Sequence, residues 1–239
     1  MAINACIVSY FMSNINEKTV QLQKDVVKKF NKSKYPHIVF SGDVRHGTSI
    51  DYFWELNGVK LPQFKDVEIE QKFDYDVALI LDIDCIPLSE SAIDHMVQEA
   101  ANGRLIGNAQ RTNHLDNNQH VFAAPSASAV SRETFLKLGT PSALETYRSD
   151  VLEEYTWAAE SAQIEVDLLM PLRYNKAPER YPWEVNQPPY WPLADGMPVY
   201  GMGTTYGLGN DDAFYHNFQI RMAGQEERFW DKCNEVLGD

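Results

Sequence analysis

The chain has no surplus of positive charge. Its 21 Lys and Arg stand against 34 Asp and Glu, for a formal net charge of −13 over 239 residues. Gripping a nucleic-acid backbone without regard to sequence needs a basic surface that displaces counterions, so the balance argues against that class while leaving room for a local basic groove. Cysteine is scarce as well. Cys6, Cys85 and Cys233 are odd in number, far apart and without metal-ligand spacing, which argues against a disulfide framework or a zinc knuckle. No run approaches the roughly 20 apolar residues that span a bilayer. The start of the chain lacks the basic residues and continuous apolar stretch of a secretory signal, so the expectation is a soluble, cytoplasmic protein. Internal repeats and low-complexity tracts are missing too.

Hydrophobic residues make up 44% and charged residues 23%, enough to build a sizeable core. Along the chain, short apolar runs alternate with amphipathic stretches. A strand is expected over Ala2–Val8, then a helix capped by Asn16 and running to about Asn31. A second strand at His37–Phe40 closes on Asp43, and a helix follows at Ile50–Leu56. The clearest strand, Asp76–Leu81, runs into Asp82-Ile83-Asp84-Cys85-Ile86-Pro87, and Ser89 opens another helix. Strands are expected at 104–107 and 120–124, a helix capped by Ser131, a helix from Ser149-Asp150 to about Gln163, and a strand at Ile164–Met170. Between Arg173 and Gly209 prolines mix with Tyr and Trp in an irregular segment, and a last helix is expected over Asp211–Leu237. Alternating strands and helices imply an α/β fold with a mostly parallel sheet flanked by helices, binding ligands at the carboxyl ends of its strands. The division is a catalytic core over 1–172 and an acceptor-side loop plus C-terminal helix over 173–239, packed on the same domain.

Asp82 and Asp84 carry the chemistry. In a strand residues i and i+2 face the same side, so both carboxylates are expected to project together just past a buried apolar run. Two carboxylates this close repel unless a cation or proton lies between them. A hard divalent ion, Mn²⁺ or Mg²⁺, meets that need and can take up a diphosphate at the same time. The plain alternative is a solvated strand end with incidental acids.

Tyr75-Asp76-Val77-Ala78-Leu79-Ile80-Leu81-Asp82-Ile83-Asp84-Cys85-Ile86-Pro87-Leu88 resembles the apolar strand, D-x-D and proline exit of the GT-A superfamily of glycosyltransferases. His46-Gly47-Thr48-Ser49-Ile50-Asp51 is similar to the segment that passes their sugar-nucleotide pocket. Phe122–Phe135 with Leu138-Gly139 resembles their strand and helix after the motif, and Asp150–Pro171 the unit carrying their acceptor-side acid. The resemblance implies a Rossmann-like GT-A fold and transfer from a nucleotide-sugar, with UDP-sugar the foremost donor. The acceptor, whether glycan, protein, small molecule or modified nucleic acid, stays open. It further implies that Asp84 ligates the metal, Asp82 contacts the ribose or the metal through water, and His216 adds a late ligand. Val8, Ser9 and Tyr10 would line the nucleotide pocket beside His46, with Tyr10 on the base and Asp43 reading a pyrimidine edge. Asp150, Glu153 or Glu154 would serve as general base; the sequence does not decide among the three. Asn113, His114 and His120 are weaker candidates near the site.

Two other readings compete. A haloacid-dehalogenase-type phosphatase also ends an apolar strand in D-x-D, with Asp82 as nucleophile, Gly207-Leu208-Gly209-Asn210-Asp211-Asp212 as its late metal motif and Lys176 as its lysine. Against it, the motif lies beyond the first strand, and Cys85-Ile86-Pro87 stands where Gly-Thr is usual. A carbohydrate-binding module without catalysis is the second alternative.

Overall fold

The computed structural model describes residues 2–32, 34–42, 45–112, 119–175, 190–194, 197–221 and 224–238. Its frame is a nine-stranded mixed sheet built from β1 (Ala5–Met12), β2 (His37–Gly42), β3 (Val77–Leu81), β4 (Cys85–Pro87), β5 (Leu105–Arg111), β6 (Val121–Ser131), β7 (Val166–Asn175), β10 (Gly203–Leu208) and β11 (Asp211–His216). The strand order is β2-β1-β3-β6-β5-β7-β10-β11-β4. A separate ribbon pairs β8 (Tyr190–Pro192) with β9 (Val199–Gly201). The helices are α1 (Glu17–Asn31), α2 (His46–Leu56), α3 (Glu90–Ala101), α4 (Arg132–Lys137), α5 (Glu153–Ser161) and α6 (Gln225–Leu237).

Strand β3 shows how the layers form. Its five residues are all buried, and they divide by the two-residue period of a strand. Val77, Leu79 and Leu81 face a cluster with Ile93, Met96 and Val97 of α3. Ala78 and Ile80 face the opposite cluster, with Phe53 and Trp54 of α2 and Tyr155 of α5. Apolar residues on both faces explain why β3 reads as a continuous run rather than an alternation. Trp54 stacks on Phe135 of α4 at 4.5 Å between ring centroids, closing that second layer.

Local signals set the helix starts. Asn16, Ser89 and Ser131 each sit at an N-cap, with side chains accepting from Lys18, Ala92 and Thr134 backbone N–H groups. Helix α2 begins earlier than expected, at His46. Gly47 permits this, because a Cβ there would meet the Ala143 carbonyl oxygen at 2.5 Å.

The α/β class is as expected, but the sheet is mixed rather than mostly parallel. β2-β1-β3 and β5-β7 pair in parallel, whereas β3-β6, β6-β5 and the whole run β7-β10-β11-β4 are antiparallel. Much of the difference lies at 211–216, which forms β11 where a helix was expected; only Gln225–Leu237 is helical there. Hydrogen bonding to β10 on one side and β4 on the other overrides the local pattern. The expected helix from Ser149 likewise starts only at Glu153, since Leu152 has φ +67° and stands outside a right-handed helix. Position 172/173 falls inside β7, and β10 and β11 continue the same sheet. No helix among the described residues is long and apolar enough to cross a membrane. All three cysteines are buried and free.

Candidate functional site

Strand β3 ends at Leu81, one residue before the acids, so the same-side argument for a continuing strand does not apply. Asp82 to Cys85 instead form a tight turn closed by Cys85 N–H to the Asp82 carbonyl at 2.9 Å. The chain reverses there, and β4 pairs with β11 so that Cys85 lies opposite His216. This pairing, invisible in the sequence, carries His216 to the acids. Ligand atoms of Asp82, Asp84 and His216 lie within 4.8 Å of one another. His216 is therefore a buried strand residue and not part of the helix expected over Asp211–Leu237. A bulge helps from the other side: β6 shifts register against β5 after Gly107, around Pro125 and Ser126, and the Ser126 carbonyl accepts from Asp82 N–H at 3.2 Å.

The environments of the two acids differ. Asp84 is buried, with His216 Nε2 at 3.3 Å from its Oδ1 and a hydrogen bond from the Ile220 backbone N–H. Burial pushes its carboxyl up, but the charge and hydrogen bond of His216 outweigh burial and hold it below the ordinary value. Burial likewise opposes the His216 imidazolium, yet the Asp84 carboxylate beside it raises His216. Asp82 is more open and lies 3.1 Å from His46 Nε2. Burial raises its carboxyl; His46 pulls it back and Asp84 pushes it further up. Two carboxylate oxygens and one imidazole nitrogen make a donor set that suits a divalent ion such as Mn²⁺. Their spacing also fits, since ligands opposite each other on an ion at roughly 2.1 Å are roughly 4.2 Å apart.

These groups border a cavity of about 320 Å³, within the size range of small-ligand pockets. On its β1 side are Tyr10, Phe11 and Met12. The Tyr10 ring stacks on His46 at 5.8 Å and 14°, and its hydroxyl donates to the Gly42 carbonyl at 2.7 Å. Val8 packs in the core, and Ser9 Oγ is engaged by His37 Nε2 at 3.0 Å, so neither lines the cavity. Asp43 lies outside the described residues, as do Asn113, His114 and Lys176.

Of the three acids considered for the far side, Asp150 lines the cavity. Glu153 is fully buried; its Oε1 is 2.6 Å from His120 Nδ1 and its Oε2 accepts from Asp150 N–H at 2.7 Å. Glu154 is held by Arg148 through two hydrogen bonds, at 2.9 and 2.6 Å. His120 stacks face to face on Trp157 of α5, with centroids 3.7 Å apart. Sequence reasoning missed Gln110, Phe218, Gln219 and Arg221, which also line the cavity. A signal existed for the last three, which directly follow His216-Asn217. Gln219 has φ +63°, a left-handed conformation of the kind that gathers at binding sites.

The phosphatase constellation is not assembled. Gly207 and Leu208 belong to β10, Gly209 and Asn210 form a hairpin turn, and Asp212 is paired with Arg173, so the late acids do not join the Asp82 cluster.

No protein-family model matches the chain, and no curated protein sequence matches it either. Solved structures do. A Drosophila β-1,4-galactosyltransferase 7 variant in complex with manganese, UDP-Gal and xylobiose aligns over 95% of this chain and 79% of its own, at 13% identity and a TM-score of 0.48. A Desulfovibrio desulfuricans protein described as a nucleotide-diphospho-sugar transferase aligns over 70% of this chain and 80% of its own, at 11% identity and a TM-score of 0.41. These are likenesses of outline at low identity.

Proposed function

We propose that the protein is a metal-dependent glycosyltransferase that moves a sugar from a nucleoside-diphosphate donor, a UDP-sugar, to an acceptor hydroxyl. The observation that carries this reading is the convergence of Asp82, Asp84 and His216 at one side of a ligand-sized cavity with Asp150 on its border. Asp84 and His216 would hold Mn²⁺ or Mg²⁺ directly, with Asp82 sharing the ion or the ribose. When bound, the ion supplies positive charge against the diphosphate that departs. The protein groups do the rest. The stacked Tyr10 and His46 rings offer a flat platform for the base and ribose at the β1 edge. Asp150 accepts the proton of the acceptor hydroxyl as its oxygen bonds to the anomeric carbon, while the bond from that carbon to the diphosphate oxygen breaks.

The test is a donor screen in two readouts. Melting temperature is followed with UDP-glucose, UDP-galactose and GDP-mannose, each with Mn²⁺ and with EDTA, and slow hydrolysis of the same donors is assayed. Stabilisation and hydrolysis confined to one donor class in the presence of metal are expected. Turnover of a generic phosphate ester without a nucleotide, or stabilisation indifferent to metal, would sink the proposal.

A further inference from the structure

Gln23 lies on the inner face of α1 among Val20, Val26 and Val27, fully shielded from solvent. A carboxamide in such company is costly unless its polar atoms are engaged. Its Nε2 donates to the Asp82 carbonyl at 2.6 Å and to the Cys85 carbonyl at 3.1 Å. These are the first and last residues of the turn that bears both acids. Its Oε1 has no hydrogen-bond partner among the described residues, so the contacts that reward a glutamine here are the two to the turn. The sheet holds the same turn from the other side: the Ser126 carbonyl receives Asp82 N–H at 3.2 Å, and Asn217 N–H donates to the Asp84 carbonyl at 2.9 Å. Besides the turn's own Cys85 N–H to Asp82 carbonyl bond, α1 alone among the described residues fastens the two ends of the turn to each other through a side chain.

We propose that Gln23 is a positioning residue of the metal site, its carboxamide pinning the backbone at Asp82 to that at Cys85 and so fixing how the two carboxylates face His216. This rests on reading Asp82, Asp84 and His216 as metal ligands, and it names a group behind them that touches neither ion nor substrate. A turn held only from the sheet side can rock about the end of β3, and a small rotation there separates ligand atoms that now lie within 4.8 Å. Groups that orient ligands from behind change metal affinity by about 10–100-fold when removed.

The experiment is calorimetric titration with Mn²⁺ alone on the unaltered protein, on Gln23→Met, which keeps the length and removes the donor, and on Val97→Ala, which loosens the α3 side of the core. Gln23→Met is expected to weaken Mn²⁺ about tenfold at unchanged stoichiometry, whereas Val97→Ala lowers the melting temperature and leaves Mn²⁺ affinity intact. If the unaltered protein binds no Mn²⁺, the metal reading fails and this inference with it. If it binds and folded Gln23→Met binds equally well, or if Val97→Ala weakens Mn²⁺ as much, only the role of Gln23 is overturned. Should Gln23→Met not fold, NMR of the unaltered protein decides. The Gln23 side-chain amide resonances are expected to shift on Mg²⁺ titration in step with the Ile83 and Asp84 backbone amides; resonances that stay still overturn the proposal.

Discussion

The two sides of the cavity are made differently. On the metal side, Asp82 and Asp84 sit on a four-residue turn between two sheet strands, and His216 sits on the strand hydrogen-bonded beside it. On the far side, Asp150 sits on a loop ahead of α5; its backbone N–H donates to the buried carboxylate of Glu153, and its Oδ1 accepts from Val151 N–H at 2.8 Å. The proposed ligands would tolerate little error in position, and a strand and a closed turn give them that precision. A base of the kind proposed for Asp150 would gain from a loop, where geometry varies without disturbing the sheet. Substitutions on the two sides should therefore separate donor grip from turnover.

The largest effect is expected on the metal side. Asp84→Ala removes the more enclosed of the two acids and should weaken metal-dependent UDP binding by about 100-fold or more, beyond the loss typical of outer partners. Calorimetry with and without EDTA reads this; unchanged affinity would remove Asp84 from the site. Asp150→Asn tests the other side. It should lower kcat by about 10²–10⁴-fold, the range for a lost general base, and leave Mn²⁺ and UDP affinity as they were. A parallel loss of UDP affinity would mean that the two sides are one unit.

A smaller change sharpens the contrast. Glu153 accepts from Asp150 N–H with one oxygen and contacts His120 with the other. Glu153→Leu removes both oxygens, so Asp150 should shift and kcat fall about tenfold, given how steeply rate follows position. Loss of each buried hydrogen bond also costs about 1–3 kcal/mol of stability, seen as a lower melting temperature. Mn²⁺ affinity should not move. If it does, the loop and the metal turn are mechanically joined, and the separation drawn here is wrong.

How much of this the sequence disclosed follows the same division. β3 and the helix caps at Asn16, Ser89 and Ser131 are local facts, written in a run of apolar residues and in single side chains that satisfy helix N–H groups. The acidic pair was legible for the same reason. Its geometry was not: the acids converge because the chain turns at Cys85, and the partner that makes the turn useful, β11, comes from more than a hundred residues later. Residues 211–216 read as the start of a helix because their hydrogen-bonding neighbours are distant in sequence, and local pattern cannot report them. The choice among Asp150, Glu153 and Glu154 stayed open in the sequence because the contacts of Glu154 with Arg148 and of Glu153 with His120 depend on the fold.

The smallest predicted effect is a pH response of the metal side, read in EDTA by denaturant unfolding. Asp84 is held below its ordinary value, so its contribution is present above the unfolded value of 3.8 and is lost as pH falls through the folded one. His216 is raised, so its contribution is complete below 6.5 and is lost as pH climbs through the folded value. Asp82 is also raised, and keeping it ionised costs stability as pH rises above 3.8. His37 acts oppositely at low pH: lowered to about 4 by burial, it withdraws stability as pH falls from 6.5 towards that value and is neutral above it. From pH 6.5 upward His37 and Asp84 are silent, and the loss from His216 runs in the same direction as that from Asp82. Metal-free stability should decline as pH rises from 6.5 through the folded His216 value, and His216→Ala should make the decline shallower. Mn²⁺ reverses the sign, because it needs the neutral imidazole, so the stability gained on adding Mn²⁺ should grow across the same window. A metal increment that ignores pH would show that His216 is a neighbour of the acids and not a ligand beside them.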